Sequence, residues 1–253
     1  MAEARPVQIR LRGLGKSFGG KRVLAGLDLD VHEGESLVVI GGSGTGKSVL
    51  LKHMIGLLAP DSGTVEVDGV RLSDLGYREI TSFRRRFGMS FQEGALFDSM
   101  TVWENVAFPL RRAGWPRERI AARVAECLRL VHLDGAERKL PAQLSGGMRR
   151  RAGFARAIAL EPRILLFDEP TTGLDPVIKA VIDGVIIDLR RSLGSTTVTI
   201  SHDMKSTFRI ADRVGMLHDG KIIAIGTPDE IRACSDERVQ QFIEGRAEGP
   251  LSD

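Results

Sequence analysis

Three short apolar runs mark the chain, and each ends where glycine or charged residues begin. They are SLVVIG at 36–41, RILLFDE at 163–169 and TTVTISHD at 196–203. Short runs rich in branched residues and apolar on both faces are typical of strands buried inside a parallel sheet. A segment with helical spacing follows each run. The pattern therefore predicts an α/β core with a mostly parallel sheet.

Two further stretches alternate apolar and polar residues, as the strands of a hairpin do. They are VEVDG at 65–69 and VGMLHDGKIIAIG at 214–226, where Asp219-Gly220 supplies the residues of a tight turn. Between about 95 and 160 the pattern becomes mostly helical, with arginine-rich amphipathic stretches such as 117–133. We therefore predict an antiparallel β subdomain beside the core and a helical subdomain inserted into it.

Composition and charge mainly exclude functions. The 253 residues include 36 Lys and Arg against 33 Asp and Glu, and an excess of +3 is too small to indicate a nucleic-acid surface. We interpret the basic triplets 84–86 and 149–151 as solvated faces. Cys127 and Cys234 lie far apart without the spacing of a metal site, which argues against a metal site and a structural disulfide.

The sequence also argues against direct membrane insertion. No run approaches the roughly eighteen apolar residues that a membrane span needs. The N-terminal stretch lacks the apolar segment of a signal peptide. We therefore expect a soluble, cytoplasmic chain.

The first motif with chemical meaning directly follows the strand that ends at Ile40. Its glycines allow successive N–H groups to point at an anion, and the helix that follows presents its positive end to the same anion. Lys47 reaches the β- and γ-phosphates in such a loop, and the Ser48 hydroxyl binds Mg²⁺. The predicted phosphate-binding residues are Gly41, Gly42, Ser43, Gly44, Thr45, Gly46, Lys47, Ser48 and Val49.

The second motif, ILLFDE, ends an apolar strand in two acids. Open α/β sheets bind ligands at the carboxyl ends of their strands, and Asp168 is placed there to join the Mg²⁺ shell. Glu169, the next residue, is the candidate general base for the attacking water. The alternative is that the two acids only cap the strand end. The phosphate loop earlier in the chain favours the functional interpretation.

The third motif, LSGGM at 144–148, is a second glycine pair that has no lysine of its own. Ser145, Gly146 and Gly147 stand at the start of a predicted helix, so their hydroxyl and N–H groups form another anion site. The site suits a γ-phosphate but lacks a metal-binding acid. We do not expect a γ-phosphate held by the first loop to reach the helical subdomain of the same chain, so a second subunit packed head to tail would supply this motif to it. The buried stripe predicted for this helix is Met148, Ala152, Ala155 and Ala159.

Together these motifs resemble those of the ATP-binding cassette (ABC) ATPases over nearly the whole chain. LSGGM looks like the signature motif of that family. The resemblance implies a P-loop NTPase core, a single ATPase domain over 5–245, ATP and Mg²⁺ as cofactors, and a head-to-tail homodimer. In that dimer Ser145 and Gly147, with Gly146 between them, complete the ATP site of the partner subunit.

The resemblance assigns four further positions. Phe18 matches the aromatic position that stacks on adenine, where many members have tyrosine; the alternative is a phenylalanine of the core. Gln92 matches the glutamine that touches Mg²⁺ and the attacking water. Asp175 falls at the dimer-contact turn, and His202 matches the switch histidine that senses the γ-phosphate. The implied catalytic residues are Glu169, His202, Gln92 and Lys47, and the implied metal ligands are Ser48, Gln92 and Asp168.

The stretch after Gln92 predicts a contact with a membrane protein. In this family a short cytoplasmic helix of the permease inserts beside the loop that contains the glutamine matched by Gln92. Aromatic residues and Met are favoured at the centre of such interfaces. The candidate anchors are Phe97, Met100, Trp103 and Phe108. The alternative is that they form the core of the helical subdomain. The stretch looks like that of the ATPase subunits of MCE-associated lipid transporters, the Mla type.

The C-terminal extension, 235–253, supports the same resemblance. Val239, Phe242 and Ile243 have the spacing of a short amphipathic helix, which Gly245 ends. It is similar to the extension of the Mla-type ATPases, which packs on the neighbouring subunit. We predict that it is a dimer contact; the alternative is a helix docked on its own chain.

The resemblance as a whole predicts the ATP-hydrolysing subunit of a phospholipid transporter linked to outer-membrane lipid asymmetry. Its partners would be permease subunits, an MCE-domain lipid-binding protein and a STAS-domain regulatory subunit, on the cytoplasmic face of the inner membrane. The alternatives are an ABC transporter for another substrate and a non-transport ABC ATPase. Against the latter, the stretch from Ser48 to Ser145 is too short for a coiled coil, only one cassette is present, and zinc-binding cysteines are absent.

Overall fold

The computed structural model describes residues 5–91 and 94–251. Two compact units divide the chain: the first holds Met1–Arg84 and Ile200–Asp253, and the second holds Arg85–Thr199. In chain order the elements are β1 (Val7–Phe18), β2 (Lys21–His32), β3 (Ser36–Ile40), α1 (Lys47–Met54), β4 (Ser62–Val67), β5 (Val70–Arg71), α2 (Tyr77–Phe83), β6 (Phe87–Ser90), α3 (Val102–Arg112), α4 (Arg117–Leu130), α5 (Gly146–Ala157), β7 (Ile164–Asp168), α6 (Pro176–Leu193), β8 (Thr196–Ile200), α7 (Met204–Ile210), β9 (Arg213–His218), β10 (Lys221–Gly226), α8 (Pro228–Arg232) and α9 (Glu237–Glu244).

The antiparallel sheet of the first unit is built around a long N-terminal hairpin. Its strand order is β2-β1-β4-β5. The hairpin of β1 and β2 is absent from the sequence prediction, because its pairing changes register at several points, among them between Leu11 and Leu14. Such irregularities disturb the alternation of apolar and polar residues by which a strand is recognised. The hairpin predicted from 65–69 is confirmed as β4 and β5.

The first unit also contains the central strand that carries the phosphate loop. All five residues of β3 are buried. β9 pairs with β3 in parallel, and β10 pairs with β9 in antiparallel orientation. The turn between β9 and β10 has Asp219 at φ 47° and Gly220 at φ 72°. Two consecutive left-handed residues are what a tight hairpin turn requires, so the predicted Asp-Gly turn is confirmed.

The second unit combines three neighbouring strands with the helices. Its strand order is β8-β7-β6, and β6 and β7 run in parallel. Helices α3, α4 and α5 pack on one another, and α5 also packs on β6 and α6. Phe154 of α5 and Phe167 of β7 lie in the core with their ring centroids 4.9 Å apart. The mostly helical character predicted for this stretch is therefore observed, while the boundaries 95–160 and 5–245 stay predictions.

The arginine triplets match their interpretation as solvated faces only in part. Arg85, Arg86 and Arg149 are exposed as expected. Arg150, however, is only 5% exposed, so the interpretation is wrong for that residue. Its guanidinium satisfies backbone carbonyls of a neighbouring turn, which the sequence gives no means to foresee.

Two other features concern cysteines and membranes. Cys127 and Cys234 are both free thiols, and burial raises the pKa of the Cys127 thiol to about 11. Among residues 5–91 and 94–251, every helix is too short or too polar to cross a bilayer.

Candidate functional site

The phosphate loop connects β3 to α1 through backbone that only glycine adopts with ease. Gly41, Gly44 and Gly46 have positive φ values of 152°, 76° and 101°. A Cβ atom on Gly41 would lie 2.3 Å from the Leu217 carbonyl oxygen, and one on Gly46 would lie 2.8 Å from a methyl carbon of Val23. These positions therefore require glycine for space as well as for conformation.

Lys47 begins α1 and folds back onto this loop. Its ammonium group donates to the Gly41 carbonyl at 2.9 Å and to the Gly42 carbonyl at 2.7 Å. The residue is 7% exposed. Thr45 donates its hydroxyl to the same Gly42 carbonyl at 2.9 Å. Gly46 caps α1 without a side chain. The loop is thus folded around the ammonium group of Lys47 at the positive end of α1. This arrangement is suited to binding phosphate.

Phe18 lies at the end of β1 and is 46% exposed, so it is not a core residue. Asp61 holds the strand end in place: its carboxylate accepts from the Ser17 N–H at 2.7 Å and from the Lys16 ammonium at 2.7 Å. The bonds from Lys16 and from Ser17 lower the pKa of the Asp61 carboxyl. The Lys16 ammonium lies 5.6 Å from the Phe18 ring centroid. The Phe18 ring is therefore exposed at the end of a strand that Asp61 holds in place. It lies in the same unit as the phosphate loop.

His202 follows β8 and is exposed. The residue before it, Ser201, donates its backbone N–H to the Val39 carbonyl of β3 at 3.2 Å. The residue after it, Asp203, caps α7 by accepting from the Ser206 N–H at 3.0 Å. The first unit therefore brings His202 beside the strand that carries the phosphate loop.

Asp168 and Glu169 lie at the carboxyl end of β7, as predicted, and both are half-buried. Glu169 has φ 52°, a left-handed conformation that is uncommon for a residue with a side chain. Its carboxylate accepts from the Thr172 hydroxyl at 2.6 Å. Arg150 donates to the Glu169 carbonyl at 3.1 Å.

The LSGGM motif forms the start of α5, in the second unit. Ser145 is exposed and caps the helix, accepting from the Met148 N–H at 3.3 Å. A Cβ atom on Gly147 would lie 2.6 Å from the Cγ2 atom of Ile178 in α6. The second glycine is therefore needed within this chain for the packing of α5 on α6. Of the predicted stripe, Ala152, Ala155 and Ala159 are fully buried, while Met148 is partly exposed.

Asp175 and Gln92 are the two remaining positions that the resemblance assigns. Asp175 is exposed and caps α6, its carboxylate accepting from the Val177 and Ile178 N–H groups at 3.0 Å each. These two hydrogen bonds explain why an acid stands at the start of α6 even in a single chain. The dimer contact of Asp175 stays a prediction. Gln92 lies outside the described residues.

An apolar cavity of about 360 Å³ opens in the second unit beside the segment predicted to meet a permease. Phe97 and Phe108 line it, with their ring centroids 4.9 Å apart. Phe97 is 42% exposed and Phe91, also in the lining, is 39% exposed. Buried Asn105 fixes the segment, accepting from the Phe97 N–H at 2.8 Å. The alternative of a closed core is therefore wrong for Phe97, whereas Met100, Trp103 and Phe108 are half-buried.

The chain is similar to ATP-binding proteins of transport systems. A family model described as ABC transporter matches residues 24–172. The chain is 43% identical to the "Probable ribonucleotide transport ATP-binding protein mkl" of Mycobacterium leprae (strain TN), over 97% of this chain and 71% of that protein. It is 39% identical to the "Intermembrane phospholipid transport system ATP-binding protein MlaF" of Escherichia coli (strain K12), over 96% of this chain and 91% of that protein.

Among solved structures, the fold is similar to the ATP-binding cassette MJ0796, solved as a dimer in a post-hydrolysis state bound to ADP and Pi. The TM-score is 0.79 at 32% sequence identity, and the match covers 87% of this chain and 98% of that one.

Proposed function

Because the chain belongs to the ABC transporter family, we propose that it is the ATP-hydrolysing subunit of a membrane transporter that moves phospholipids. Membership of the family makes the chain an ATP-binding ATPase. The cargo is the part of the proposal that goes further. The observation that carries it is the nearly end-to-end match with the MlaF protein, which covers 96% of this chain and 91% of that protein.

A second candidate cargo comes from the other relative. The mycobacterial protein is named for ribonucleotide transport, and its identity to this chain is 43%. The match covers 71% of that protein, so a part of it has no counterpart here. The residues that bind and hydrolyse ATP would serve either transporter equally. We favour phospholipid because the match with the MlaF protein extends over most of both chains. The stretch after Gln92 and the C-terminal extension also resemble those of the lipid-transport type.

In the proposed mechanism the phosphate loop binds the nucleotide, and the chain's own side chains carry the proton and the charge. Backbone N–H groups and Lys47 hold the β- and γ-phosphates. Glu169 takes a proton from the water whose oxygen attacks the γ-phosphorus, while the bridging oxygen leaves with ADP. His202 contacts the γ-phosphate. Gln92 orients the water.

The residues proposed for the metal suit Mg²⁺. This ion prefers one or two carboxylates, phosphate oxygens and water over a cage made only of protein. Asp168 at the end of β7 and the Ser48 hydroxyl, with Gln92, are donors of that kind. When bound, Mg²⁺ neutralises charge on the phosphate oxygens.

A second copy of the chain completes the proposed site. Ser145, Gly146 and Gly147 offer a hydroxyl and helix-start N–H groups but no acid, so they suit a phosphate whose metal is held elsewhere. A head-to-tail dimer supplies them to the partner's ATP. ATP binding would close the dimer and hydrolysis would reopen it. The further proposed partners are permease subunits, an MCE-domain lipid-binding protein and a STAS-domain subunit, on the cytoplasmic face of the inner membrane.

The aromatic lining of the second-unit cavity supplies the test of permease contact. Replacing Phe97 with aspartate puts a charge into an apolar cavity. The fraction of the protein recovered with membranes should fall to a small part of the wild-type value, while ATPase activity in solution is retained. The matched control is Tyr77→Asp, because Tyr77 of α2 is 86% exposed and is not among the residues that line the cavity. Membrane recovery of Phe97→Asp at the wild-type level would argue against this cavity as the docking site.

The role of Phe18 predicts a change in nucleotide affinity. Stacking of a base on an aromatic ring contributes about 1–3 kcal/mol, so Phe18→Ala should weaken ATP binding roughly 5- to 150-fold. Phe18→Tyr should bind as the wild type does. Titration of both variants with ATP, beside Tyr77→Ala, measures the effect. An unchanged dissociation constant for Phe18→Ala would remove the stacking assignment.

The tail helix α9 predicts a change in dimerisation. Val239 is fully buried and α9 packs on α8, whereas Phe242 and Ile243 are only half-buried. Docking on the chain's own surface therefore uses Val239 and leaves apolar surface at the other two residues. Phe242→Asp should lower the dimer fraction measured by light scattering without lowering the melting temperature. Arg246→Ala, an exposed change just after α9, is the control; an equal dimer fraction in Phe242→Asp would favour an intramolecular role alone.

A further inference from the structure

We infer that Thr172 and Arg150 are positioning residues for Glu169: together they hold its backbone and its carboxylate in the orientation used for hydrolysis. The inference rests on the proposed role of Glu169 as the base. Neither residue is among the positions that the motifs assign. Arg150 belongs to the arginine triplet after the LSGGM glycines, and Thr172 lies in the turn that follows Glu169.

The backbone of Glu169 has an unusual conformation. Its φ of 52° is a conformation that residues with a Cβ seldom adopt, and such residues keep it only where the surroundings hold them. The conformation turns the chain sharply at the end of β7. Any side chain that holds this turn therefore also determines where the Glu169 carboxylate points.

Arg150 holds the turn from α5. One of its terminal nitrogens donates to the Glu169 carbonyl at 3.1 Å, and the other donates to the Thr172 carbonyl at 2.8 Å. The residue is 5% exposed, so its planar guanidinium bridges the two ends of the turn in a buried position. A lysine carries the same charge but lacks the two fixed donors of this fork.

Thr172 holds the carboxylate itself. Its hydroxyl donates to Oε2 of Glu169 at 2.6 Å, the short distance typical of a hydrogen bond to a charged oxygen. This bond fixes the rotation of the side chain, which otherwise has several staggered positions. A base that must meet a water in one geometry loses rate when its orientation is lost.

The same contacts connect the base to the start of α5. Arg150 lies in the helix that Ser145 caps, and Gly147 of that helix packs closely on Ile178 at the other side of the turn. The first turns of α5 and the segment after Glu169 therefore form one packed assembly. A shift of α5 on meeting the partner's nucleotide would reach Glu169 through Arg150.

The test compares kcat and KM for ATP in the full-length protein. Thr172→Val removes the hydroxyl while keeping the branched shape, and it should lower kcat roughly 10- to 100-fold with KM and ATP affinity unchanged. Thr172→Ser keeps the donor and should restore most of the rate. Arg150→Lys should lower kcat in the same range, while Arg149→Lys, an exposed neighbour in the same triplet, should not. A fall in melting temperature without this split between kcat and KM would indicate a structural role only and overturn the inference.

A double-mutant cycle with Glu169→Gln separates the inference from the proposed function. If Thr172 acts through Glu169, Thr172→Val should add little to the slow single-turnover rate of Glu169→Gln. If Thr172→Val lowered the rate by the same factor in the wild type and in Glu169→Gln, the inference would be overturned. A wild-type kcat in Thr172→Val would overturn it as well. If Glu169→Gln itself hydrolysed ATP at the normal rate, the base assignment would fail instead, and the inference with it.

Discussion

Replacing Glu169 with glutamine should slow ATP hydrolysis by about 10²–10⁴-fold, the usual contribution of a positioned general base, while ATP binding persists. Glutamine has nearly the same shape but its amide does not accept the proton of the attacking water. Its side-chain oxygen still accepts a hydrogen bond from Thr172, so the local structure should be kept. Phosphate release measures the rate, and titration with ATP measures the affinity.

A matched control exists for this variant. Glu161 is exposed and also has a left-handed backbone, with φ 54°, but it lies before β7 and outside the candidate site. Glu161→Gln should hydrolyse ATP as the wild type does. Normal hydrolysis by Glu169→Gln would contradict the assignment of the base, and loss of ATP binding by that variant would indicate that the substitution disturbs the site more widely.

Replacing Lys47 with alanine should weaken ATP binding itself. A charge-assisted hydrogen bond contributes about 1.5–3 kcal/mol, so the dissociation constant should rise roughly 10- to 100-fold. The two bonds from the ammonium group to the Gly41 and Gly42 carbonyls are also lost, which loosens the loop before ATP arrives. The effect therefore differs in kind from that of Glu169→Gln, which acts on the chemical step.

Lys52 of α1 provides the control for this prediction. It is partly exposed and lies five residues, about 1.4 turns, further along the same helix. Lys52→Ala should bind ATP normally, and melting temperatures show whether either variant is destabilised. An unchanged dissociation constant for Lys47→Ala in a folded protein would exclude Lys47 as a phosphate ligand.

Much of the fold follows from the sequence because its signals are local. The buried runs at 36–41 and 163–169 become β3 and β7, and Asp219-Gly220 becomes the expected turn. The β1 and β2 hairpin escapes prediction because its register shifts disturb the alternating pattern. A bulge is decided by pairing between strands, and a single strand's sequence does not reveal it.

The site divides in the same way. The glycines and Lys47 of the phosphate loop are recognisable because each meets a local requirement of backbone and charge. Arg150 is not recognisable as a buried residue, since only the carbonyls of a turn 19 to 22 residues further along the chain make its burial favourable. The left-handed backbone of Glu169 and its bond to Thr172 likewise depend on tertiary packing. Partners and cargo lie outside the chain, so the sequence reaches them only through resemblance.

The most direct test of the proposed function is identification of the proteins that copurify with the tagged Glu169→Gln variant. This variant should bind ATP without turning it over, which favours a closed complex. Membranes are solubilised in mild detergent with ATP and Mg²⁺, and mass spectrometry identifies what is retained. We predict a multi-span permease together with a single-span MCE-domain protein. A permease of another class without a lipid-binding subunit would contradict the phospholipid cargo, and ribosomes or DNA without any membrane protein would contradict transport itself.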